Sequence, residues 1–116
     1  MYAMKLKIFA SAAALSLTFA GVSLAEGKGD AAKGKELFEE KAEPVCSVCH
    51  NADSMEKKMG PGLKGVYKKA KLNNGKKPGD GVIKDIIMKG GGGMPGYEES
   101  LKPADVENIL AYLRTL

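Results

Sequence analysis

The chain has 116 residues, 44% hydrophobic and 28% charged, and its 18 Lys+Arg against 14 Asp+Glu leave a net charge of +4. That length holds one domain, two cysteines cannot build a disulfide scaffold, and a single histidine excludes any site made of two imidazoles. Three Phe, four Tyr, no Trp and one arginine offer little for base stacking or forked phosphate contacts, so nucleic acid is not an expected partner despite the basic excess.

Residues 1–25 place Lys5 and Lys7 ahead of an uncharged apolar run that closes on Ser23 and Ala25. This is the pattern of a secretory signal peptide cut after Ala25, leaving residues 26–116 as the mature domain in the periplasm or otherwise exported. Ser11, Ser16, Thr18 and Gly21 interrupt the run. They favour cleavage over a retained span, and contact with a membrane is expected only if the leader stays.

From Glu26 onward there is no period-2 alternation, and the apolar residues recur at helical spacing, so the expected class is all-α. Asp30 is a helix start whose side chain can accept from the first free amides, with Ala31, Gly34, Leu37 and Phe38 on one face and Pro44 ending or bending the helix. A second helix is expected from Asp80 as N-cap through Val82, Ile83, Ile86 and Ile87 to Gly90. A third starts near Pro103 and presents Val106, Ile109, Leu110 and Leu113. The intervening stretch 60–81 is rich in Gly, Lys, Asn and Pro, with a turn signal at Asn74-Gly75. Three short helices and a long loop bury a modest share of their surface, which points to something besides side chains filling the centre.

Cys46-Ser47-Val48-Cys49-His50 is a C-x-x-C-H motif, the signature of covalent c-type haem attachment. On one helical turn Cys46 and Cys49 face the same side, where two sulfurs can reach the vinyl groups of one porphyrin edge, and His50 can bring an imidazole nitrogen to the iron. A thioredoxin-like site lacks its βαβ setting, a zinc site lacks a fourth ligand, and a Cys46–Cys49 disulfide would leave His50 without a role. For the second axial ligand, Met55 and Met59 follow His50 too closely to reach the opposite face, and packing accounts for Met88 within its helix. Met94 follows four consecutive glycines and precedes Pro95, so its backbone can approach the porphyrin and is then stiffened, which makes it the expected ligand.

With these residues in place, the chain from Glu26 onward resembles a class I, single-haem cytochrome c of the exported bacterial kind. Gly34 and Phe38, Cys46 to His50, Gly60-Pro61-Gly62-Leu63, Met94-Pro95, and Ile109 with Tyr112 carry the likeness. The resemblance implies a small fold of three to four helices around one haem c bound through Cys46 and Cys49, in which Gly34 and Phe38 of the first helix cross Ile109 and Tyr112 of the last. It also implies that the Pro61 carbonyl accepts from His50 Nδ1, that Leu63 packs on the haem face, and that Tyr97 lies near the Met94 side. Two departures stand out. Glu39 to Val45 lengthen the path between the helix-one aromatic and Cys46, as a longer helix or an inserted loop. The Trp and Arg that hold haem propionates in many members are absent apart from Arg114, leaving Tyr67 and neighbouring amides as candidates.

An iron held by His50 and Met94 has no open position, so the expected function is a single-electron carrier rather than an enzyme. The alternative is an open-site haem c sensor or peroxidase-like protein. Without Lys5 and Lys7 the mature chain carries 16 basic against 14 acidic residues, a net +2. Eight lysines and no acid lie between Lys57 and Lys77, a segment expected either as a solvated loop or as a docking patch for acidic redox partners. A monomer is expected.

Overall fold

Helix α1 (Ala31–Glu36) starts where Asp30, in extended conformation, turns its carboxylate onto the amides of Ala32 and Lys33 at 2.9 and 3.2 Å. The computed structural model describes residues 29–116, so the leader expected over 1–25 and its cut after Ala25 lie outside the described residues. The helical path does not stop at Glu36 but widens into a π-helical turn, Leu37–Lys41, closed by the Ala42 amide on the Leu37 carbonyl at 2.9 Å. The extra residues before Cys46 are thus divided between a longer helix and a bent connector at 42–45.

Single 3-10 turns follow at Cys46–Val48 and Val66–Lys68, then α2 (Asp80–Lys89) and α3 (Pro103–Arg114). No strand occurs among the described residues, and the architecture is all-α. Helix α3 begins with Pro103 at its first position, and the Asp105 carboxylate accepts from the Lys102 amide at 3.1 Å. Its stripe Val106, Ile109, Leu110, Tyr112 and Leu113 is buried, each aliphatic member contributing about 1.5–3 kcal/mol of burial free energy.

Helices α1 and α3 form the main packing pair. At their contact a side chain on Gly34 would run into the Asn108 carbonyl, so only glycine lets the backbones meet. Phe38 completes the crossing edge-on to Tyr112, with ring centres 5.4 Å apart and planes at 66°. Asn108 Oδ1 also accepts from the Asp30 amide at 2.8 Å, which ties the start of α1 to the same turn of α3.

The start of α2 departs from the expected pattern. Gly79 is the N-cap and Asp80 is already the first helical residue. The Asp80 carboxylate is taken by longer-range partners. Arg114 Nε and Nη2 reach it at 3.0 and 2.8 Å, and Tyr67 Oη donates to it at 2.8 Å. A charged fork and a phenol hold this carboxylate in place of a local cap, and the cluster pins the first turn of α2 to the last turn of α3. On the same face of α2, Ile83 and Ile87 are buried. Gly90 ends the helix at φ 68°, ψ −153°, a positive-φ conformation open to glycine but outside the left-handed helical well.

Candidate haem site

The motif residues are gathered by one carbonyl. Cys46 O accepts from Cys49 N at 3.1 Å and from His50 N at 2.9 Å, so the chain wraps a single turn and carries both cysteines and the histidine on it. Cys46 and Cys49 are free thiols, each half-buried. Cys46 packs against the core, and burial pushes its thiol up to about 11 against the partial relief of hydrogen bonds, including one from Tyr97. Cys49 Sγ lies on the outer side, 3.9 Å from Met59 Sδ.

His50 is oriented by the segment that follows. Gly60 N donates to Cys49 O at 2.8 Å and Leu63 N donates to Asn51 O at 2.7 Å, which lays residues 60–63 along the motif. Between these two bonds, Pro61 presents its carbonyl 2.7 Å from His50 Nδ1. A carbonyl only accepts, so the proton resides on Nδ1 and Nε2 keeps its lone pair for a metal. A Cβ at Gly60 would strike the imidazole, so glycine lets the chain pass under the ring. Leu63 is half-buried against the core.

Met94 belongs to a different part of the chain. It closes a four-residue turn in which Gly91 N donates to Met94 O at 2.9 Å and Met94 N to Gly91 O at 3.0 Å, and its side chain is half-buried on the core, as is that of Met88. Met55 and Met59 are 68% and 80% exposed, which sets them apart from both. Tyr97, three residues after Met94, is buried, and its hydroxyl donates to the carbonyl of Pro44, two residues before Cys46. Tyr67, the side-chain candidate for a haem propionate, is engaged by Asp80, as is Arg114.

The residues fit a c-type haem. Two unpaired thiols share a turn with an imidazole whose coordinating nitrogen is left available, and half-buried Leu63, Met88 and Met94 offer apolar surface that the protein core leaves partly uncovered. No group of three or more His, Cys, Asp or Glu side chains able to hold a metal ion occurs among the described residues. Local patterns did not announce the steric role of Gly60 or the reach of Tyr97 to Pro44; the Gly-Pro-Gly run was the one available signal for the former.

Fold and site together define a class I, single-haem c-type cytochrome, an electron-carrying protein that serves redox partners. Residues 29–113 match the family described as cytochrome c oxidase, cbb3-type, subunit III, and the chain belongs to that family, whose cofactor is covalently bound haem c. Among solved structures it is similar to the c-type cytochrome SorU from Sinorhizobium meliloti, with a TM-score of 0.55 and 27% sequence identity over 72% of this chain and 86% of that one. A search of curated proteins gave no match. Among the described residues no helix is long and apolar enough to cross a membrane.

Proposed function

We propose that the protein is a one-electron carrier whose haem c would be held by thioethers to Cys46 and Cys49, with His50 Nε2 and Met94 Sδ coordinating its iron, and that it catalyses no reaction of its own. The observation that carries this reading is the His50 Nδ1 to Pro61 carbonyl contact at 2.7 Å, which makes Nε2 the coordinating atom and raises its basicity. When bound, the haem supplies a ferric/ferrous couple. His50 contributes a fixed nitrogen, because the backbone bonds at Gly60 and Leu63 keep Pro61 in register. Met94 contributes a soft sulfur that favours the ferrous state, and with the apolar surface of Leu63 it raises the potential. Two protein ligands leave no coordination position for substrate, which is why the reading is a carrier and not an enzyme.

The partner side of the reading rests on charge. Seven of the eight lysines from Lys57 to Lys77 are exposed, and Lys58 Nζ lies 3.2 Å from the Ser47 carbonyl within the attachment motif. Exposed Val48, Met55 and Met59 lie in or just after the same motif. An acidic redox protein is the complementary partner, and the leader directs the mature chain, as a monomer, to the periplasm.

Carbon monoxide tests the ligation. The reduced native protein at neutral pH is expected to form no prompt adduct in its visible spectrum. A rapid adduct would overturn the closed-site reading and favour a sensor or peroxidase-like protein.

A further inference from the structure

Met94 is restrained very differently on its two sides. Upstream, Gly90 to Gly93 all have positive φ, at 68°, 124°, 61° and 92°. Side chains built on Gly91, Gly92 and Gly93 would meet nothing within 4 Å, so the tip of the turn packs on no neighbour, and its reciprocal Gly91–Met94 bonds are local. Downstream the chain is clamped. A Cβ on Gly96 would press on the carbonyls of Met88 and Lys89 at 2.8 and 2.9 Å. Tyr97 N donates to Ile87 O at 3.0 Å and Glu98 N to Met88 O at 3.2 Å, while Leu101 N donates to Tyr97 O at 2.9 Å. The backbone of Tyr97 is therefore fixed to the end of α2, and its side chain, 3% exposed, runs inward to the carbonyl of Pro44, 53 residues earlier in the chain. Among the described residues the one other hydrogen bond between 88–101 and 42–50 is made by this same hydroxyl, with the Cys46 thiol.

We propose that Tyr97 is a positioning residue that holds Met94 on the iron, its hydroxyl bond to Pro44 O tying the methionine-bearing segment to the segment that carries the attachment cysteine Cys46. The proposal rests on Met94 being an iron ligand. With the uncontacted glycines Gly91 to Gly93 before Met94 and a clamp after it, to which Gly90 adds by packing on the backbone of 94–96, the position of the sulfur relative to Cys46 is set by the clamp. Release of Met94 from iron requires the 94–97 segment to draw away from the Cys46 side, a movement the Tyr97–Pro44 bond resists. Without the hydroxyl, the ring still fills its site but the cross-link between the two segments is gone.

Titration of the ferric protein with imidazole, which competes with Met94 for the iron, tests this in the visible spectrum. Tyr97→Phe is expected to bind imidazole about fivefold more tightly than wild type, the scale of one net hydrogen bond, with unchanged haem content. Thr115→Val, which also removes a hydroxyl bond to a carbonyl (Thr115 Oγ1 to Tyr112 O, 2.6 Å) but at the far end of α3, is expected to bind as wild type does. In a Met94→Ala background, Tyr97→Phe should add nothing further, because no methionine remains to be displaced. Wild-type affinity in Tyr97→Phe would overturn the proposal whatever its thermal stability. So would a variant that holds no haem, since Tyr97 would then serve the fold and not the ligand. If wild type takes carbon monoxide promptly, it is the Met94 ligation itself that fails, an outcome read separately from the Tyr97 comparison.

Discussion

At the residue scale, the site rests on a few half-buried polar atoms whose partners decide their chemistry. The Pro61 carbonyl selects the tautomer of His50, and Gly60 makes room for the ring. The tyrosines carry a pH dependence. Burial, with the nearby Cys46 and Cys49 thiols second, pushes Tyr97 up to about 12. Burial also raises Tyr67, reinforced by the hydrogen bond to Asp80, and Tyr112, reinforced by Glu39 and Asp53. A phenol with a raised value in the folded state stays neutral there while the unfolded chain ionises near pH 10, so the stability it carries is complete below pH 10 and is lost as pH rises from 10 toward 12. Urea unfolding should therefore show a drop in stability between pH 9.5 and about 11.5 that is shallower in Tyr97→Phe. Equal slopes in the two proteins would contradict this.

At the scale of elements, the α1–α3 crossing is set by Gly34. An alanine there gains up to about 1 kcal/mol of helix propensity. Its methyl, however, meets the backbone carbonyl of Asn108, which cannot yield without separating the helices. Overpacking costs about 1–3 kcal/mol, and against backbone the upper end applies. Gly34→Ala should lose about 2 kcal/mol in chemical denaturation; a variant as stable as wild type would show that the helices are not in close contact there. The elements legible in the chain were those with local causes: Asp30 with its two amides, Pro103 at the head of α3, and the stripe from Val106 to Leu113. Asp80 has the same N-cap chemistry as Asp30, yet its strongest partner is Arg114, 34 residues away, and no local window contains that competition. The π-helical turn Leu37–Lys41 likewise has no composition signature, although the lengthened path to Cys46 signalled that something had to absorb residues there. Tyr97 and Pro44 are 53 residues apart, and their bond is a product of tertiary structure alone.

At the scale of the molecule, charge is segregated along the chain. Residues 26–56 carry 4 lysines against 8 acids, residues 57–93 carry 10 against 2, and residues 94–116 carry 2 basic residues against 4 acids. The lysine-rich middle begins seven residues after His50, with Lys58 folded onto Ser47. A charged face steers an oppositely charged partner over distances that salt screens within about 10 Å at 0.1 M. Electron transfer with an acidic partner should therefore slow by about tenfold or more between 10 mM and 300 mM salt under second-order conditions. A rate independent of salt would remove these lysines from docking.

The central claim, a haem iron closed by His50 and Met94, is tested most directly by potentiometric titration of the wild type beside Met94→Ala. Loss of the soft sulfur should lower the midpoint potential by on the order of 100 mV, a fraction of the ~0.8 V that axial ligation spans, and should open the reduced iron to carbon monoxide. An unchanged potential in Met94→Ala would contradict the account and assign the sixth position to another group.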